Sequence, residues 1–158
     1  MARLTPQFSS NRSVREYTES YYFPSAARYR RRAAQGANTG QALVHWQREL
    51  ARHWHNLHFG NLDIQTTDDH HRFSVQVYLD ELDPEMLQVE LYADPRGDVP
   101  LVRQPMRREA LLPGTVNGYT YSTRVPATRP AQEFVPRVVP HHPEAIVPLE
   151  AAWILWRS

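Results

Sequence analysis

The chain has 158 residues, 41% of them hydrophobic and 11% aromatic, enough for one full-sized core or a small helical piece plus a sandwich. It contains no cysteine, which excludes disulfides and cysteine-based zinc sites and makes a reducing, cytoplasmic setting the expected one. The net charge of +1 conceals an asymmetry: residues 1–60 hold nine arginines against three acids, a balance of +6, and residues 61–158 hold nine against fourteen, a balance of −5. No apolar run reaches the roughly 18 residues of a membrane span, and no signal-peptide core is present, so neither spanning nor export is expected.

In chain order, residues 1–13 are polar, and Ser13 with Glu16 forms a capping box for a first helix over residues 14–23. Val14, Tyr17 and Tyr21 share a face of that helix, which Pro24 interrupts before a resumption over residues 26–34. Arg28, Arg30, Arg31 and Arg32 point around this second piece rather than along one stripe. They could meet phosphate or RNA, but no glycine-rich loop or stacking aromatic accompanies them, which favours a solvated or partner-facing basic surface.

Asn38 or Thr39 is expected to cap a second helix over residues 40–57, stopped by Gly60. Leu43, Trp46, Leu50, Trp54 and Leu57 form its apolar stripe, and that stripe needs a partner layer. His45, His53, His55 and His58 crowd its end. His53 and His55 are two apart and cannot face one ion from a helix, and the pair His55 and His58 lacks a third ligand nearby, so no metal site is assigned.

From Asn61 the period switches to two. Strands are expected over residues 62–66, 73–79, 87–92, 101–106, 119–125, 134–139 and 147–156, with turns at Asp83-Pro84 and Asp94-Pro95-Arg96-Gly97. In the last run Val147, Leu149, Ala151, Trp153 and Leu155 alternate, predicting a terminal strand with buried tryptophans. Pro126, Pro130, Pro136, Pro140, Pro143 and Pro148 each remove a backbone donor. They predict edge strands, or strands whose missing N–H faces solvent. The fold class is therefore α+β: two N-terminal helices followed by an all-β, immunoglobulin-like sandwich of seven short strands.

Asp68, Asp69, His70 and His71, and the pair His141 and His142, carry metal-ligand side chains. Adjacent strand residues face opposite ways, so a solvated turn is the simpler reading. No nucleophile elbow or phosphate loop is present, and a glycosidase pair cannot be read without geometry. No catalytic, cofactor-binding or metal-ligating residue is assigned. Tyr78, Tyr92, Tyr119 and Tyr121 are candidates to stack on sugar rings, although cross-strand packing accounts for the same four residues.

The stretch MARLTPQFSSNRSVREYTESYYFPSA resembles a segment near the carboxy-terminal end of α-glucan (glycogen/maltodextrin) phosphorylases, glycosyltransferase family 35. VQVYLDELDPEMLQVELYAD, NGYTYSTRVPATRP and FVPRVVPHHPEAIVPLEAAWILW are similar to the carboxy-terminal extension of a bacterial subgroup, in matching order. The resemblance implies reversible phosphorolysis of α-1,4-glucan to glucose 1-phosphate in the full-length family, with pyridoxal 5′-phosphate held on a lysine. All eighteen basic residues here are arginine, so this chain has no amine for that Schiff base, and no catalytic residue carries over. What the resemblance implies is a carboxy-terminal piece of a phosphorylase, from a gene remnant or a split reading frame. Residues 1–60 would pack on a catalytic core and be loosely held alone, and residues 61–158 would fold as the β domain. A phosphorylase catalytic chain and α-glucan are then the expected partners. An independent carbohydrate-binding module and an arginine-rich nucleic-acid binder are the alternatives.

Overall fold

A computed structural model of the chain describes residues 37–157. The first helix, its resumption and the Arg28–Arg32 cluster lie outside the described residues. The chain divides into two compact units, Met1–Val44 and His45–Ser158. The described elements are one α-helix, α1 (Ala37–His53), and eight strands: β1 (His58–Thr66), β2 (His70–Tyr78), β3 (Leu87–Ala93), β4 (Val102–Pro105), β5 (Arg107–Leu111), β6 (Gly118–Pro126), β7 (Val135–Pro140) and β8 (Leu155–Trp156). All strand pairs are antiparallel, in two four-stranded sheets ordered β1-β2-β6-β5 and β4-β3-β7-β8.

The alternation read from the sequence sets the core. Phe73, Val75 and Val77 of β2 are fully buried, and Val75 and Val77 lie opposite Tyr121 and Tyr119 of β6 on the same inner face. Leu87, Val89, Leu91 and Ala93 of β3 bury the corresponding face of the second sheet with Pro136 and Val138 of β7. Phe73 meets Phe134, the residue before β7, at 5.7 Å between ring centroids and joins the two inner faces. Each fully buried Val, Leu or Phe among them contributes about 1.5–3 kcal/mol by leaving water.

Helix α1 already includes Ala37, so Asn38 and Thr39 fall inside its first turn rather than capping it. It ends at His53 in a short 3-10 turn, Trp54–Asn56, earlier than expected. Gly60 does not stop a helix. It lies in β1, where a β-carbon would come within 2.9 Å of both Gln76 and Tyr78 on the neighbouring strand. The helical stripe finds its partner inside this chain from Trp46 onward. Trp46 and Leu50 are fully buried, and the Trp46 indole Nε1 donates to the Met86 carbonyl at 3.0 Å. Gln47 Nε2 donates to the Glu150 carbonyl at 2.9 Å, tying α1 to the chain just before β8.

Three strand expectations are corrected. The run 101–106 is β4, but the chain then crosses to the other sheet as β5; buried Met106 is the corner, its N–H donating to the Val89 carbonyl. The terminal run 147–156 is not a buried strand. The Glu150 N–H donates to the Ile146 carbonyl and the Glu150 carboxylate accepts from the Ile146 N–H, closing a turn over residues 146–150 in which Pro148 has no N–H to give a ladder. Leu149 is therefore 81% exposed, Trp156 43% exposed, and only Leu155–Trp156 pairs as β8. Finally, the prolines of β7 do not make it an edge, since it lies between β3 and β8. The Pro136 carbonyl accepts from the Arg157 N–H, so its nitrogen also faces the two-residue β8, where few donors are needed.

The outer face of the second sheet holds a buried ion pair. The Arg137 Nε donates to the Glu90 carboxylate at 2.6 Å, with both side chains almost out of contact with water. The Arg137 guanidinium lies 4.0 Å from the Tyr92 ring centroid and 4.9 Å from that of Trp156. These two rings shield the pair from water, and their cation–π contact with the guanidinium offsets part of the cost of burying both charges.

Candidate functional site

The site begins with the way β2 ends. Its inner-face alternation continues to Leu79, which is fully buried, and Leu82 is buried too. Between them the chain must turn, and the Leu82 N–H donates to the Leu79 carbonyl at 3.0 Å. Asp80 takes a left-handed conformation with φ of 55°, which aspartate tolerates better than most residues. Asn117 holds the turn from the β5–β6 loop, its Nδ2 donating to the Asp80 carbonyl at 2.9 Å and the Leu82 carbonyl at 2.7 Å. The Asp80 and Glu81 side chains are left at the tip.

The Asp80 carboxylate accepts from Asn56 Nδ2 at 2.8 Å and from His53 Nδ1 at 2.9 Å. These donors, Asn56 first and His53 second, hold it below the usual aspartate range. The other nitrogen of His53 lies 3.8 Å from both Glu49 and Glu81. Next to this cluster, the His58 Nδ1–H donates to the Asn56 carbonyl at 3.0 Å, which fixes its tautomer and orientation. The His58 ring then lies flat on Tyr78, 4.7 Å between centroids and 10° between planes. The stacked pair, Asp80, Glu81 and the 115–118 loop line an open cleft of about 400 Å³ at one end of the first sheet.

The four tyrosines singled out from the sequence do not converge. Tyr78 is in the cleft. Tyr92 is on the outer face of the other sheet, its hydroxyl donating to Asp94 at 2.9 Å and its ring engaged by Arg137 and Trp156. Tyr119 is on the inner side of β6, with the Arg108 guanidinium 5.3 Å above its ring. Tyr121 is 4% exposed, and its hydroxyl has no hydrogen-bond partner among the described residues. Burial pushes its phenol up to about 12.

The histidines separate as strand geometry requires. His70 is the first residue of β2, with Asp69 of the β1–β2 turn at 2.6 Å, and hydrogen bonds from Thr67 and His70 hold Asp69 below its usual range. His71 is buried, its Nε2–H donating to the Arg129 carbonyl at 2.9 Å and its Nδ1 2.9 Å from the Thr66 hydroxyl. His142 packs against Trp46 at 5.4 Å. No group of three His, Asp or Glu side chains among the described residues is placed to hold a metal ion. No helix among them is long and apolar enough to cross a membrane.

Asn56, His58, Asp80 and Asn117 were not assigned to a common site from the sequence. They come from three separated segments, and the only local signal is the polar Asp80-Glu81 pair between two buried leucines.

The profile of the glycogen phosphorylase C-terminal domain family matches residues 54–158. The chain is 28% identical over 152 residues to a glycogen phosphorylase of Mycobacterium tuberculosis, covering 89% of this chain. It is 23% identical over 145 residues to a maltodextrin phosphorylase of Thermococcus litoralis, covering 88% of this chain. In both cases it spans 17% of the relative's length.

Proposed function

Because this chain belongs to the glycogen phosphorylase C-terminal domain family, we propose that it is a non-catalytic domain that supports an α-glucan phosphorylase catalytic chain. The observation that carries this reading is the extent of the family match, which takes in every strand of both sheets. The 17% span of the relatives is consistent with a part of a larger machine.

The residues present do not fit pyridoxal 5′-phosphate. The Schiff base of the full-length family needs a lysine, and this chain has none. The one cleft described above presents the Asp80 and Glu81 carboxylates, which oppose a phosphate group. No step of phosphorolysis is therefore routed through this chain. Segment 1–60 is the part proposed to meet the catalytic core, with Trp46 and Leu50 already committed to the sandwich. The absence of cysteine supports a reducing, cytoplasmic setting.

The immunoglobulin-like reading of the sheets is supported by strand order. Taking β1 to β8 as A, B, C, C′, D, E, F and G gives A-B-E-D in one sheet and C′-C-F-G in the other.

The test is glucose 1-phosphate release from maltoheptaose and inorganic phosphate by the full chain, supplied with pyridoxal 5′-phosphate. The reading predicts none above a protein-free control. Release that scales with protein concentration would overturn it.

A further inference from the structure

The cleft at the end of the first sheet has features that the support role does not use. Tyr78 is placed from three sides. Gly60 on β1 and Gly118 on β6 flank it, and a β-carbon at either position would come within 2.9 Å and 3.0 Å of opposite edges of its ring. His58 lies flat on one face and is itself oriented by the Asn56 carbonyl. The result is a rigid, flat wall beside an open volume of about 400 Å³, within the ordinary range of small-molecule sites.

The polar groups around this wall select among ligand classes. The Asn117 and Asn56 amide donors are already engaged, by the Asp80 and Leu82 carbonyls and by the Asp80 carboxylate. What remains at the rim is acceptor-rich, with Asp80 and the 81%-exposed Glu81 side chain. An anion would meet two carboxylates at close range. A metal ion would need three convergent ligands, which the described residues do not supply. A purely apolar ligand would take solvent from the carboxylates without replacing its hydrogen bonds. A neutral polyol satisfies both halves: its hydroxyls donate to the carboxylates, and its C–H face packs on the flat rings.

We propose that this cleft is an α-glucan subsite, in which the Tyr78–His58 pair carries one face of a glucose ring and Asp80 and Glu81 accept its hydroxyls. Glucan as the polyol rests on the phosphorylase reading above. The subsite holds substrate chain at a distance from any catalytic centre and performs no bond-making step.

The experiment is an amide NMR titration of the full 158-residue chain with maltoheptaose. Shifts are expected at His58, Tyr78, Asp80, Glu81 and Asn117. Glu81→Ala, at an exposed position that leaves the fold intact, is expected to weaken binding about tenfold by removing a charge-assisted hydrogen bond. Tyr78→Ala is expected to weaken it by about tenfold or more. Absence of shifts, shifts confined to Tyr92 and Trp156, or unchanged affinity in Glu81→Ala would each overturn the proposal. Equal binding of a β-linked cellooligosaccharide, or competition by inorganic phosphate, would also overturn it. Any of these outcomes leaves the support role standing, since that role is tested by activity and not by sugar binding to this chain.

Discussion

Trp46 connects helix α1 to the sandwich, and its removal measures how far the helix belongs to this fold. The side chain is fully buried, its ring packs 5.4 Å from His142, and its N–H reaches the Met86 carbonyl. Truncation of a buried tryptophan to alanine costs about 3–5 kcal/mol, from lost transfer free energy and the cavity left behind. That is a large share of a domain stability of about 5–15 kcal/mol. Trp46→Phe separates the contributions. It keeps most of the ring and loses the hydrogen bond, and the Met86 carbonyl still accepts the His141 N–H at 2.9 Å, so no acceptor is stranded. The expected cost is about 1–2 kcal/mol. Urea unfolding followed by far-ultraviolet circular dichroism is the assay. With a slope of about 2 kcal/mol/M, Trp46→Ala lowers the midpoint by about 2 M and Trp46→Phe by about 0.5–1 M, at unchanged slope. A midpoint shift below about 0.3 M for Trp46→Ala would refute the packing of this helix as described.

Glu90→Ala strands the Arg137 guanidinium under Tyr92 and Trp156 and is expected to cost about 3–5 kcal/mol in the same assay; a double replacement by Leu and Met costs much less. Tyr121→Phe removes a buried hydroxyl without a partner and is expected to leave stability unchanged or raise it by about 1 kcal/mol; a loss above that contradicts the assignment. Burial penalises the phenolate of Tyr121 and raises its folded pKa from 10.0 to about 12, so stability is unaffected by this group below pH 10 and falls as pH rises from 10 through 12. Ultraviolet titration should show a late-ionising tyrosine component that Tyr121→Phe reduces, leaving Tyr92, whose phenol is also raised by its hydrogen bond to Asp94. Limited proteolysis should leave a protected fragment that retains Trp46 and Leu50; a stable fragment beginning at Asn61 would contradict their burial.

The strands with one buried face were legible because burial imposes alternation. β2 shows it at every position and β3 at all but Glu90, and β2, β3, β6 and β7 each lie within two or three residues of their expected positions. β5 was not legible. All five of its residues are exposed, so it is held by backbone pairing and leaves no apolar pattern. The run 147–156 misled for the opposite reason. Its alternating apolar residues sit partly in a turn that the Ile146 and Glu150 hydrogen bonds close, and those bonds carry no period in sequence. The stripe of α1 was legible as a stripe, but its partner was not. The identity of the Met86 carbonyl as acceptor for Trp46 depends on a contact forty residues away. Tyr78 was recognisable as an aromatic on the polar face of β2. Its wall was not, because His58, Asp80 and Asn117 meet only after β1, β2 and β6 have paired.

The most direct test of the support role is complementation. A phosphorylase truncated of its carboxy-terminal domain is assayed for glucose 1-phosphate release from maltoheptaose, with and without the full chain. The account predicts no release from the chain alone and a saturable rise in the rate of the truncated enzyme as the chain is added. A truncated enzyme whose rate and thermal inactivation are both unaffected by excess chain would contradict it.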